Sequence, residues 1–227
     1  MKIEGILEGK PFMTEFGIVG YSTVVLIQEA NKNILFDVGN KGCALQLKDA
    51  LKEKKLTCDD ITDVVISHLH FDHVGNVSLF NNAKFHLSMT EWITATNSPD
   101  EWHSVPVCDY LRNNGNLNFV KEGDQISGSV VVMELPGHTL GLVGLKCGED
   151  TILCSDAIKN RYELWQDNPL MSVDNEKSKM TIERIKKEAK IIYPGHDSML
   201  EVKTPICDET ICFKVRLANG KEMEVRV

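Results

Sequence analysis

Between Ser67 and His73 the chain reads Ser-His-Leu-His-Phe-Asp-His, which packs three imidazoles and a carboxylate into six residues directly after the apolar run Val64-Val65-Ile66. Neutral imidazole nitrogens and carboxylate oxygens are ligands for zinc, iron and manganese. A lone histidine beside apolar residues is ordinarily a hydrogen-bonded core residue, but this density of ligand types predicts a metal site. In an extended or turning loop His68 and His70 project to one side by period-two alternation. Asp72 and His73 can then address a second ion.

Three later positions repeat the theme of an apolar run ending in a ligand. They are His138 in Pro136-Gly137-His138-Thr139, Asp156 in Ser155-Asp156-Ala157, and His196 in Pro194-Gly195-His196-Asp197. Five of the seven histidines fall in these loops, a distribution that core histidines do not show. Asp37, in Phe36-Asp37-Val38-Gly39, can orient a ligand histidine from behind or act as a turn or cap aspartate.

The elements that must position these residues follow from pattern. Strands are predicted over 2–7, 21–28 and 34–36, the last two as a hairpin, and over 63–67 leading into the histidine loop. Apolar residues Ala44, Leu47 and Leu51 predict an amphipathic helix over 43–54. A short helix over 77–80, a strand over 84–87 carrying a structural His86, and a helix over 90–96 follow. The Lys10 to Gly20 region reads as a loop whose Phe12, Met13 and Phe16 pack the core or wall a pocket. Residues 97–116 contain Pro99, Pro106, Gly115 and several asparagines, and read as a long connection holding Trp102 and His103: a packed crossover or a lid. The second half has strands over 130–135, 143–147, 151–154 and 191–193, with a charged amphipathic helix over 174–190. Asn219-Gly220 marks a two-residue turn in a C-terminal hairpin.

Composition sets the class. At 227 residues, 42% hydrophobic and 26% charged, the chain suits one sizeable soluble core, and no apolar run approaches the length of a membrane helix. The opening Met1 to Gly5 lacks the apolar core of a secretion signal, so a cytoplasmic location is expected. The seven cysteines are scattered without a Cys-x-x-Cys pair, and only Cys207 and Cys212 are close enough to suggest a disulfide. A net charge of −8 repels nucleic acid at long range, and no basic stripe appears.

The ordered set His68-x-His70-x-Asp72-His73, Gly-His138-Thr, Ser-Asp156-Ala and Pro-Gly-His196 resembles the metallo-β-lactamase superfamily over about residues 22–198. The resemblance implies an α/β, four-layer αβ/βα sandwich with the site at one edge between two mixed β-sheets. A hydrolase domain over 1–200 would comprise two αβ halves joined by a crossover near 97–117, with 201–227 as a C-terminal hairpin extension. Carried over by position, His68, His70 and His138 would hold one divalent ion and Asp72, His73 and His196 another. Asp156 would bridge the ions, and Asp37 would orient a ligand histidine from behind. Two zinc ions are the leading cofactor, with iron and manganese as alternatives.

The activity implied is hydrolysis of an ester, thioester or lactone by hydroxide activated between two ions, with Asp72 both binding metal and holding the water. The alternatives are a phosphodiesterase or ribonuclease with the same dinuclear site, and a mononuclear iron sulfur dioxygenase. The three-histidine antibiotic β-lactamases carry cysteine at the position of Asp156 and no histidine at that of His73, so an antibiotic role is not expected. Lactonases of the family carry a tyrosine three residues after the bridging aspartate. Here Lys159 stands there with Tyr162 nearby, and both are candidate substrate contacts. The expected partner is a small molecule rather than nucleic acid or membrane, and the C-terminal hairpin is a candidate edge for pairing with a second copy.

Overall fold

A computed structural model of the chain describes all residues except 16, 204–211, 217–219 and 227. In the first half, β1 (Lys2–Leu7) leads through a minor hairpin, β2 (Met13–Thr14) and β3 (Gly17–Ile18), to β4 (Val24–Glu29) and β5 (Lys32–Phe36). Helix α1 (Ala44–Glu53), strand β6 (Asp63–Val65) and a one-turn helix α2 (Phe71–Val74) follow, then β7 (Lys84–Ser88), α3 (Met89–Asn97), α4 (Val105–Asn114) and β8 (Leu117–Val120). The major strands form a sheet in the order β1-β4-β5-β6-β7-β8, antiparallel up to β5 and parallel from β5 to β8.

The second half contributes β9 (Gln125–Ser127), β10 (Val130–Glu134), β11 (Val143–Cys147), β12 (Thr151–Ser155), α5 (Arg161–Gln166), α6 (Asn175–Glu188), β13 (Ile191–Pro194) and β14 (Leu200–Glu201). Its sheet runs β14-β13-β12-β11-β10-β9, with β12 and β13 parallel and the other pairs antiparallel. β15 (Cys212–Arg216) and β16 (Glu222–Arg226) form a C-terminal hairpin that sets Arg216 opposite Glu222, one residue out of the register that a two-residue Asn219-Gly220 turn would give. The suggested Cys207–Cys212 pairing lies outside the described residues.

Alternation explains the layers. Val24, Leu26, Leu35 and Val64 enter the core beneath α1, α3 and α4, while their neighbours Val25, Ile27, Ile34, Phe36 and Val65 enter a core between the sheets. There they meet Val130, Val132, Val143, Leu145 and Leu153 of the second sheet. Ile152, Cys154 and Ile192 point the other way, toward Ile182 and Ile185 of α6. Strands covered on both faces read as continuous apolar runs, as these do. Each such side chain contributes roughly 1.5–3 kcal/mol by leaving water.

Two expectations need correction. Residues 97–116 are neither wholly a structureless connection, because α4 occupies 105–114, nor the crossover between the halves, because β8 after them still pairs with β7 in the first sheet and the chain passes to the second sheet at 121–124. Pro106 sits in the helix's first turn, where its missing N–H costs nothing, and Gly115 closes the helix in the left-handed region at φ 77°. The buried spacing of Val107, Cys108 and Leu111 is the helical signal that the proline and asparagines obscured. The histidine loop turns rather than running extended throughout: Phe71–Val74 form the one-turn helix α2, in which His73 is buried. Among the described residues no helix is long and apolar enough to cross a membrane.

Candidate metal centre

The C-terminal ends of β5, β6, β10, β12 and β13 all face one edge of the two sheets, and each delivers a polar residue there. Asp37 follows β5, His68 to His73 follow β6, His138 follows β10, Ser155 ends β12 just before Asp156, and His196 follows β13. Backbone bonds stitch the edge together across the sheets. Val143 N donates to Ser67 O at 3.0 Å and Thr23 N to Gly195 O at 2.6 Å, each joining the two halves, while Ser22 N donates to Asp72 O at 3.1 Å within the first. Both halves of the chain therefore fix one site.

The inward atoms converge. His138 Nε2 lies 3.1 Å from His70 Nδ1, and the candidate ligand atoms of His68, His70 and His138 all lie within 4.8 Å of one another, as do those of Asp72, His73 and His196. Asp156 stands between the two groups. Its Oδ1 is 3.3 Å from both His73 Nε2 and His196 Nε2, and its Oδ2 is 3.4 Å from His138 Nε2. Asp72 Oδ2 is 3.4 Å from His196 Nε2 and 3.8 Å from His73 Nε2.

Behind each ring, four of the five histidines have a hydrogen-bond partner that sets the tautomer. His68 Nδ1 meets Ser67 Oγ at 2.9 Å, His73 Nδ1 meets Asp37 Oδ2 at 2.8 Å, His138 Nδ1 meets Met171 O at 2.8 Å and His196 Nδ1 meets Tyr21 O at 3.1 Å. With the outer nitrogen protonated, the inner one offers a lone pair. Inside, His68 Nε2, His73 Nε2 and Asp156 Oδ1 are buried without a hydrogen-bond partner among the described residues. Leaving such atoms unpaired costs about 1–3 kcal/mol each, a cost that a coordinated cation removes. The donor set fits divalent metal.

Charge is distributed unevenly. Burial holds His68 and His138 well below the usual imidazole range. Burial also opposes charge on His73 and His196, but Asp156 and Asp72 beside both, with Asp37 behind His73, reverse it and raise them. Burial likewise disfavours an ionised Asp156, yet His196, His73 and His138 hold its carboxyl well below the ordinary range. Surroundings that stabilise positive charge on His73 and His196 would also stabilise a cation between them.

Behind the histidines, Asp37 is a buried hub. Oδ1 accepts from Ser67 N at 2.8 Å, and Oδ2 accepts from His73 and from the hydroxyls of Ser67 and Ser155, each at 2.8 Å. Asp37 and Ser155 both adopt left-handed backbone, at φ 56° and 47°. Such strain persists only where surrounding contacts hold it.

A cleft of about 420 Å³ opens over the site, with His70, Asp72, His138, Asp156 and His196 at its base and Phe12, Trp102, Met171 and Val173 on its walls. Of the two candidate substrate contacts, Lys159 lines the cleft, its Nζ 2.6 Å from Leu170 O, 3.6 Å from Glu163 and 4.0 Å from Asp156. Tyr162 is not among the lining residues and lies on the surface of α5, 43% exposed. Phe12 does line the cleft, while Phe16 lies outside the described residues. Sequence reasoning missed Ser67 and Ser155, although each directly precedes a ligand candidate. It also missed the carbonyls of Tyr21 and Met171, which carry no sequence signature.

The family model of the metallo-beta-lactamase superfamily matches residues 17–196. The chain belongs to that superfamily. It is 29% identical over 169 residues to a probable metallo-hydrolase of Methanocaldococcus jannaschii, covering 74% of this chain and 72% of the relative. An N-acyl homoserine lactonase from Bacillus sp is 28% identical over 164 residues, or 67% of this chain, which spans 62% of the lactonase's length. In fold, a candidate metallo-beta-lactamase from Thermotoga maritima superposes with a TM-score of 0.72 at 21% identity, covering 88% of this chain and 98% of its own. This superfamily hydrolase carries Asp37 and every candidate ligand inside the matched span, whereas its C-terminal hairpin lies beyond it.

Proposed function

We propose that the protein hydrolyses a lactone, ester or thioester bearing an apolar arm, with two divalent cations, zinc foremost, held by His68, His70 and His138 and by Asp72, His73 and His196, and Asp156 shared between them. The observation that carries this reading is the convergence of five inner imidazole nitrogens and two carboxylates, four of the five rings being hydrogen-bonded from behind. Cations bound there supply Lewis acidity toward a carbonyl oxygen and acidify water.

The chain's own groups do the remaining work. Asp72 turns Oδ2 toward His73 and His196, which leaves Oδ1 to take a proton from the attacking water and return it to the departing oxygen or sulfur. Lys159 commits one N–H to Leu170 O and has others to offer the substrate carbonyl. Phe12, Trp102, Met171 and Val173 cover the apolar arm and exclude water. Reaction at a lactone breaks the acyl carbon–oxygen bond and yields a carboxylate and an alcohol, consistent with the Bacillus relative's being an N-acyl homoserine lactonase. Asp100 and Glu101 on the cleft lining make it a poor groove for a polyanion, which favours this reading over a phosphodiesterase.

Metal analysis of protein purified without added metal, followed by a panel of lactones, esters, thioesters and single-stranded RNA, tests the proposal. Two ions per chain and carbonyl-ester turnover that is lost in His70→Ala are expected. One iron per chain, or turnover confined to RNA, would sink it.

A further inference from the structure

The connection between α3 and α4 is bonded directly to the histidine loop. His70 and His103 form an isolated antiparallel bridge, Phe71 N donates to Trp102 O at 2.8 Å, and Ser104 N donates to Leu69 O at 3.2 Å. The Trp102 ring stacks on Phe71 at 6.1 Å with a 12° tilt. This places Asp100 beside His70, on the side away from the other ligand candidates.

His70 differs from the other four rings. It turns Nδ1 inward, and its outer Nε2 is buried without a hydrogen-bond partner among the described residues, 3.5 Å from Asp100 Oδ2. Asp100 is itself held, since its Oδ1 accepts from Trp102 N at 2.9 Å and His103 N at 3.1 Å and lies 2.8 Å from His103 Nδ1. Beyond it, His103 Nε2 is another buried atom without a hydrogen-bond partner among the described residues, 3.6 Å from Glu91 Oε1. Glu91 is fully buried; Oε1 accepts from Leu69 N at 2.9 Å and Oε2 from Thr139 Oγ1 at 2.6 Å. Leu69 lies between His68 and His70, and Thr139 follows His138, so this carboxylate ties together the loops bearing all three.

We infer that Asp100 is the positioning residue for His70, fixed by His103 and Glu91, and that the connection between α3 and α4 is a brace for the first metal position rather than a mobile lid. A ligand histidine needs an acceptor for its outer N–H to fix its tautomer and ring angle, and the hydrogen bonds that serve a site are often long until it is loaded. Asp100 Oδ2 is placed to be that acceptor, and a shortening of about half an ångström brings it into range.

The inference rests on the metal-dependent reading above. The test uses the full chain with Asp100→Asn, whose Oδ1 still accepts from Trp102 N and His103 N while an amide N–H₂ replaces the oxygen facing His70. Metal affinity is read by competition with a chromophoric chelator, ligand geometry by the visible spectrum of the cobalt-loaded protein, and folding by the thermal midpoint of metal-stripped protein. The expected result is a loss of about 10- to 100-fold in affinity for one of two ions and shifted cobalt bands, with the midpoint unmoved. Asp100→Ala, which also frees the loop, should add a fall in midpoint. Wild-type affinity and an unchanged spectrum in Asp100→Asn would overturn the inference alone, and a wild-type chain that retains no metal would overturn both readings.

Discussion

Asp37 and His73 are joined at 2.8 Å, carboxylate to imidazole, with the two side chains 1% and 0% exposed. The same oxygen takes both serine hydroxyls, one from each half of the chain, so a single carboxylate sets the orientation of His73 directly and of His68 through Ser67. Asp37→Ala strands these donors in the interior, where each unmet group costs about 1–3 kcal/mol. The expected outcome is a thermal midpoint several degrees lower together with a metal affinity reduced about 10- to 100-fold. Unaltered metal stoichiometry and affinity in a folded Asp37→Ala protein would refute this role.

Lys159 serves the cleft wall as well as its floor. Its ammonium pairs with the buried Glu163, whose carboxyl burial pushes up, and Glu163 in turn accepts from Lys159 N and Leu170 N. Lys159→Met removes one partner of a buried pair and should cost about 3 kcal/mol of stability. Because Met171 O orients His138 and Val173 walls the cleft, KM for substrates with long apolar arms should rise, and loss of the donor to the carbonyl should lower kcat. Chemical denaturation and steady-state kinetics across arm lengths separate the effects. A uniform change in KM for short and long arms would argue against the wall function.

Far from the metal centre, Asp63 anchors a buried polar network with His86 Nε2 and Lys32, at 2.8 and 3.0 Å, and Thr62. Burial alone would raise its carboxyl, but His86, Thr62 and Lys32 more than reverse that and hold it at about 2. A carboxyl depressed on folding stabilises the protein fully above the unfolded value, near 4, and ceases to do so as pH falls through the folded value. Wild type should therefore be about 2 kcal/mol more stable than Asp63→Asn at neutral pH, with the gap closing between about pH 4 and pH 2. Denaturant midpoints measured against pH would show the two curves converging; parallel curves would contradict the account.

What could be read from sequence alone followed the strength of the local signal. Ligand chemistry has few alternatives, so His68, His70, Asp72, His73, His138, Asp156 and His196 stood out by type and spacing, and the structure gathers all seven at one edge. Strands buried on both faces announced themselves as apolar runs. Short, half-exposed β8 and β9 did not, and α5 is a six-residue helix fixed mainly by the Asn160 cap. The partners behind the histidines were least legible. Tyr21 O and Met171 O act through backbone, and Asp100 and Glu91 reach the site only through tertiary folding, 30 and 21 residues from His70 in sequence.

Gly195 illustrates a spacing constraint that chain pattern alone could not assign. A Cβ built there would lie 1.9 Å from Asp156 Oδ1 and 3.0 Å from its Cγ, closer than real side chains approach. Asp156 has nowhere to retreat, because its two oxygens face His73, His196 and His138. Gly195→Ala must displace either that carboxylate or the turn carrying His196, and a misplacement of about 1 Å at a reacting centre costs on the order of 100-fold in rate. Metal analysis should show weakened retention of one ion alongside the lost turnover. Gly115→Ala gives the contrast: its Cβ would meet nothing within 4 Å, so the left-handed backbone at φ 77° should cost only about 1–2 kcal/mol and leave metal content unchanged. Equal metal retention in the two variants would show that contact with Asp156 is not what requires glycine at 195.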